Sequence, residues 1–190
     1  RFERLSIEDG LSSVSVMEIL QDSRGFMWFG TEDGLNKYDG DTFTVYRNDP
    51  ENPHSLRDNY ILSMYEDRSG VLWIATMNGW LEKFDRRNDS FTHHSFTPYA
   101  PFVSQMYEDR SGILWIATGS GLYQLDPVTE QPIAVADQEV LSIYEDRAGK
   151  LWFGTRSGVL LRHDRGSAEF HPFEVGYGVR SIHEDETGAL

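Results

Sequence analysis

The residues whose types and spacing could do chemistry are four adjacent acid pairs: Glu66-Asp67, Glu108-Asp109, Glu145-Asp146 and Glu184-Asp185. Two carboxylates facing each other across one pocket, about 5 Å apart, could serve a retaining glycosidase as acid and nucleophile. These pairs instead recur at one fixed place in a repeated sentence. That position suits a turn, with the Asp capping it and its neighbour facing elsewhere. Calcium would need more oxygen ligands at alternating spacing than Asp-Arg-Ser-Gly supplies. His93-His94 are adjacent on a predicted strand, so their side chains point to opposite faces and make a poor shared metal site. His163, His171 and His183 fall at separate strand positions. No catalytic residue, metal site or cofactor is expected.

The elements that position these residues are set by the repeat itself. Asp22-Ser-Arg-Gly25-Phe-Met-Trp28-Phe-Gly-Thr31-Glu-Asp-Gly34 returns from Asp67, from Asp109 and from Asp146, and a fifth copy opens at Asp185-Glu-Thr-Gly188. The tryptophans at 28, 73, 115 and 152 are spaced 45, 42 and 37 residues apart. A period near 40 with four short strands per unit is the mark of a β-propeller. In each unit one strand enters the Asp-x-x-Gly turn, a second carries the Trp, a third follows a short Gly turn, and a fourth closes the blade. The Asp can bond backbone two residues on, and the Gly can take a positive φ. The Trp brings a large apolar area to the same place in every blade.

The fold class is therefore all-β: four complete four-stranded blades, at about 16–46, 61–96, 102–135 and 140–174. Residues 1–13 read as the outer strand of a neighbouring or closing blade, and 179–190 as the start of a fifth. Residues 1–190 thus form one partial propeller domain. On the first strands, the residues six and three before each Asp are apolar and the residue four before it is polar (Glu18, Ser63, Gln105, Ser142, Ser181). Both faces of the strand are largely apolar, as expected where blades pack face to face. The polar row could stand near a central channel. Repeats two and four carry one extra residue before Asp85 and Asp164, which predicts a bulge or a longer strand in alternate blades.

Composition narrows the function classes. A net charge of −14, from 31 acidic and 17 basic residues with no basic run, argues against nucleic-acid binding. There is no cysteine, and no apolar run is long enough to cross a membrane. The chain starts at Arg1 rather than Met, so an upstream segment is expected, and a Trp is expected to follow Leu190.

The pattern V-x-x-I-x-E-D-R-x-G-x-L-W-x-G-T-x-x-G-L-x-x-x-D resembles the two-component regulator propeller repeat. Phe2 to Ser13 looks like the start of the first propeller in receptors of that family. Asn48 to Asn59 looks like their long connection between first and second blades. The resemblance covers essentially the whole chain. It implies the periplasmic sensor region of a hybrid two-component histidine kinase, or of a related membrane-bound diguanylate cyclase. In such receptors two seven-bladed propellers and a β-sandwich domain precede a membrane span, so the chain would be about half of the first propeller. The family's motifs are scaffold motifs and bring no catalytic residue with them.

Function then falls to the loops that differ between copies. These are the turns after each Thr and the links between blades. The candidate ligand-face residues are Asp33, His54, Arg57, Asn78, Trp80, Tyr99, Arg156, Tyr177 and Arg180. Mixed aromatic, amide and charged groups of this kind suit a periplasmic small molecule, a saccharide or a peptide, and Trp80 could be a sugar platform or pack between blades. The implied function is non-catalytic ligand sensing and signal transmission. Its partners would be the remaining blades and domains of the same receptor, with a homo-oligomer expected. Two alternatives stand beside it. One is a propeller glycosidase or lyase, because D-x-x-G-x-x-W loosely resembles the aspartate-box turn of sialidases. The other is a purely structural dimerisation scaffold.

Overall fold

The repeat folds as a repeat in the computed structural model, which describes residues 4–96, 102–167 and 169–190. Blade one contains β1 (Val16–Gln21), β2 (Met27–Thr31), β3 (Gly34–Tyr38) and β4 (Phe43–Tyr46). Blade two contains β5 (Ile61–Glu66), β6 (Leu72–Thr76), β7 (Trp80–Asp85) and β8 (Ser90–Ser95). Blade three contains β9 (Val103–Glu108), β10 (Leu114–Thr118), β11 (Gly121–Leu125) and β12 (Pro132–Ala136). Blade four contains β13 (Val140–Glu145), β14 (Leu151–Thr155), β15 (Val159–His163) and β16 (Phe170–Glu174). Each sheet is an antiparallel meander in sequence order. The fold class is all-β, built of propeller-type blades. The chain divides into two compact units, residues 1–102 and 103–190, each holding two blades.

Inside each unit the core lies between the two blades. In the first, Trp28, Leu35 and Leu56 are fully buried with Ile61, Leu72 and Ile74. In the second, Trp115, Leu122, Val140, Leu151 and Phe153 take the corresponding role. Side chains of this size contribute roughly 1.5–3 kcal/mol each on burial, which explains why strands of only four to six residues hold together.

The extra residue of repeats two and four is absorbed in the turn after Thr. In blades one and three that turn has two residues, with Thr31 paired to Gly34 and Thr118 to Gly121. In blades two and four Gly79 and Gly158 are added at φ 77° and 85°, and Trp80 and Val159 bond back to the Thr hydroxyls. That is a three-residue hairpin closed by a left-handed glycine.

The ends differ from expectation. No strand forms among described residues 4–13; Ile7–Asp9 is a 3-10 turn instead. Ser6 and Asp9 cap each other reciprocally, and Gly10 ends the turn at φ 107°. This local capping box wins over the strand reading of Leu5-Ser-Ile7. Residues 179–190 form no strand ladder either, although the Asp185 turn closes like the others, with Asp185 Oδ1 accepting from the Thr187 and Ala189 amides.

Candidate functional site

The acid pairs are placed by two different jobs. In each turn the Asp Oδ1 accepts backbone N–H bonds, and at Asp22, Asp67, Asp109 and Asp146 its Oδ2 accepts the indole N–H of the Trp six residues on. The indole distances are 2.8 Å for Trp28, 2.9 Å for Trp73 and Trp115, and 2.8 Å for Trp152. In three of the pairs the Glu reaches the earlier blade. Glu66 accepts from the Ser23 amide at 2.6 Å, Glu145 from Arg110 at 2.9 Å, and Glu184 from Arg147 at 2.8 Å. The four Asp carboxylates are therefore turn caps, and Glu66, Glu145 and Glu184 are blade clasps; among the described residues none of these pairs converges on a common pocket.

Arginines complete the clasps in alternate blades. Arg86 follows Asp85 and bonds Glu66 at 2.8 Å, Asp22 at 2.5 Å and the Gly70 carbonyl at 3.0 Å. Arg165 follows Asp164 and bonds Glu145 at 2.7 Å. Burial pushes the Asp22 carboxyl up, but bonds from the Trp28 indole, Arg86 and the Phe26 amide outweigh it and hold the group below the ordinary carboxylate value. Asp109 is likewise lowered: burial opposes, and Ser111, Trp115 and Ile113 prevail.

The polar row of the first strands has a use beyond lining a channel. Within each unit, among the described residues, the two blades share no backbone ladder, so strand amides facing the next blade need side-chain partners. Glu18 accepts from the Met64 amide, and Gln105 from the Ile143 amide at 2.7 Å. Ser142 donates to the Val179 carbonyl at 3.0 Å. Burial and loss of solvation raise the Glu18 pKa, with the Met64 and Ser63 bonds acting against the rise.

In the first unit the structure gathers four of the loop candidates at one end of blades one and two. The linker returns there. Asn59 O accepts from Gly34 N at 2.8 Å, Tyr60 O from Met77 N at 2.9 Å, and Asp58 Oδ2 from Asn78 N at 3.0 Å. Asp33 pairs with Arg47 at 3.0 Å. The Arg57 guanidinium lies 5.9 Å from the half-buried Trp80 ring, which meets His93 edge-on with ring centroids 6.4 Å apart.

Beneath them Glu82 is fully buried and accepts from the Arg57 amide at 2.9 Å. His93 joins Glu82 through Nδ1 and the Pro53 carbonyl through Nε2 at 2.7 Å. A carbonyl only accepts, so Nε2 carries a proton, and a second proton lies between Nδ1 and Glu82. Burial pushes the Glu82 carboxyl up, against the pull of Arg57 and His93. Nothing in the sequence flags Glu82; its buried position emerges only from pairing with His93 across β7 and β8.

His54 does not join this group. Its carbonyl accepts from Phe91 N, beside the Asp85–Ser90 hairpin at the far end of the same strands from Trp80. The linker dips along β8, anchored by buried Leu56, before it returns. In the second unit Arg156 pairs with Glu139 at 2.5 Å, and Tyr177 stands 87% exposed beside the same turn. Arg180 is exposed on the following segment. Tyr99 lies outside the described residues. His93 and His94 do face apart, His94 packing on Trp73 at 5.8 Å. Among the described residues no His, Asp or Glu group has metal-binding geometry.

Comparisons with known proteins converge on the repeat. The two-component regulator propeller model matches residues 10–33, 55–78, 100–120 and 135–157. Histidine kinase P4 of Formosa agariphila is 53% identical over 55 residues, which are 29% of this chain and 4% of that protein. The chain therefore spans a small part of this curated relative. Among solved structures, an extracellular domain assigned to a hybrid two-component system of B. thetaiotaomicron matches 93% of the chain and 32% of its own length, with TM-score 0.58 and 17% identity. A virginiamycin B lyase of Staphylococcus aureus matches 87% of the chain and 57% of its own, with TM-score 0.68 and 15% identity. At such identities these two likenesses speak for the fold alone. The sequence match falls on the Asp-x-x-Gly-x-x-Trp units themselves, and through these four repeats the chain belongs to the two-component regulator propeller family.

Proposed function

We propose that the chain is part of the extracytoplasmic sensor region of a membrane-bound two-component receptor, a non-catalytic propeller that passes an external signal to output domains elsewhere in the protein. The observation that carries this reading is the division of labour within the repeat. The invariant acids are consumed by turns and clasps, while the turns after Thr31, Thr76, Thr118 and Thr155 differ from copy to copy. The family match and the local likeness to a histidine kinase support it.

The candidate contact surface in the first unit is Asp33, Arg57, Asn78 and Trp80. Arg156, Tyr177 and Arg180 offer a second surface in the other unit. A flat indole beside a guanidinium and backbone-held amides suits a saccharide or an acidic peptide. The test uses the complete receptor in membranes, with kinase or cyclase output recorded against a panel of oligosaccharides and peptides. A ligand-dependent change in output, lost in Arg57→Ala/Trp80→Ala with basal output kept, is expected. Chemical turnover of a panel member, or a response untouched by that variant and by Arg156→Ala/Arg180→Ala, overturns the reading.

A further inference from the structure

The two blade pairs are built alike, and one difference between them leaves a cleft. In the first unit the space over Trp28 is filled by Tyr46. Its ring stacks 6.1 Å from Trp28 and meets Phe84 and Phe91 edge-on at 5.3 and 5.6 Å. The Tyr46 hydroxyl donates to Asp89 at 3.0 Å. Phe26 and the Lys37 stem close the side, with Nζ 4.3 Å from the Phe26 ring.

Counted from the turn Asp and the strand register, the same places in the second unit hold smaller groups. Leu35 pairs with Tyr46, and its counterpart Leu122 pairs with Ala136. Ile113 stands for Phe26, Gln124 for Lys37, and His163 for Phe84, while Trp115 and Phe170 keep the places of Trp28 and Phe91. A bulge at Val135 brings a branched side chain towards the gap, and Phe153 approaches Trp115 to 5.0 Å from the other side. Neither closes it. A cleft of about 590 Å³ remains, walled by Ile113, Trp115, Val135 and Phe170, with Gln124 and Ser167 at its polar side.

We propose that this cleft is a binding site for a small para-substituted phenol. The first blade pair supplies the reason for that class, because there the matching space takes a phenol ring belonging to the chain itself. The walls suit an aromatic ring. Phe170, Ile113 and Val135 are part-exposed and give the apolar sides, while the nearly buried Trp115 reaches the cleft only at its floor, beside His163, whose ring lies 5.3 Å from Trp115 and 5.0 Å from Phe170. Apolar walls with a few polar groups, in a volume of several hundred Å³, are the usual make-up of a small-molecule site. Ser167 Oγ accepts from the Glu169 amide and keeps its own hydrogen to donate, and the Gln124 amide can both donate and accept. Either can meet a phenolic hydroxyl as Asp89 meets Tyr46.

The site stands apart from the loop surfaces above and does not depend on the sensor reading, since binding can be measured on the isolated chain with no signalling output. The probe is 4-methylphenol, the side chain of tyrosine as a free molecule. Two-dimensional NMR of the chain is expected to show saturable shifts at the Trp115 indole N–H and the Val135 methyls, with the Trp28 indole unmoved. Ala136→Tyr should refill the space and weaken binding at least tenfold. Val135→Phe is a second filler, should the first variant fold poorly, and should do the same. No saturable shift up to the solubility of the probe, shifts centred elsewhere, or unchanged binding in both folded variants overturns the proposal.

Discussion

At the residue scale the repeat turns on a single hydrogen bond, from the Trp indole to the far oxygen of the turn Asp. Asp109 is almost fully buried and accepts from the Ser111 and Ile113 amides as well as from Trp115. Trp115→Phe keeps most of the apolar area but strands one carboxylate oxygen. We expect a loss of about 1–3 kcal/mol in urea unfolding, more than the change in area alone would give. The same bonds fix a pH dependence. Asp22 and Asp109 have folded pKa values below the ordinary one, so both contribute stability that is complete above the unfolded value near 3.9 and that fades as pH falls through the folded value. Unfolding free energy should therefore be flat on this account above about pH 5 and drop below about pH 4. Asp109→Asn should be less stable at neutral pH and lose less on acidification; an equal acid slope in both proteins would refute the assignment. The sequence announced the Asp and Trp as a structural pair in spacing but not as a bonded pair. A period of six residues across a turn says nothing of which oxygen the indole meets.

At the element scale the long linker between blades one and two is a strap rather than a free loop. Its centre is pinned by Leu56, which is fully buried, and its two arms by Pro53 O on His93 and by Arg57 N on Glu82. Leu56→Ala should cost about 2–5 kcal/mol, as for other buried leucines, and thermal unfolding would read it out. Glu82→Leu leaves His93 Nδ1 and the Arg57 amide without their partner. Hydrogen exchange over residues 53–60 should then speed up, while β9 to β16 keep their protection. This strap also explains why His54 lies at the other end of β7 and β8 from Trp80. Loop membership places a residue between two strands, but a linker of this length can travel the height of a blade, and only Leu56 in the core and His93 across the sheet decide its path. Strand order and turn positions were legible because they follow from period, glycine and aspartate. The Glu82–His93 lock was not, because it joins two residues that are unremarkable along the chain and meet only through β7–β8 pairing.

At the scale of the whole molecule, blades in each unit are joined in series: each lends a Glu to the turn before it, and strand amides take side-chain acceptors from the neighbour. Stability in such a chain is approximately a sum of unit terms and nearest-neighbour terms. The segment 179–190 shows the neighbour term in isolation, since it forms no ladder of its own and yet gives blade four a full set of clasps. Val179 N bonds Thr155 O at 2.9 Å, Val179 O accepts from Ser142, and Glu184 accepts from the Arg147 amide. Gly154 also packs against Val179 with no room for a Cβ, which would sit 2.5 Å from the Val179 carbonyl oxygen. Removal of residues 178–190 should therefore cost about 2 kcal/mol or more, at roughly 0.5–1.5 kcal/mol for each of three hydrogen bonds together with the lost packing. Nearest-neighbour coupling makes the loss local. Hydrogen exchange should accelerate in β13 and β14, less in β9 and β10, and not at all in β1 to β8. A uniform acceleration through β1 to β16 would mean that the blades unfold as one body, and the serial account of the clasps would then be wrong.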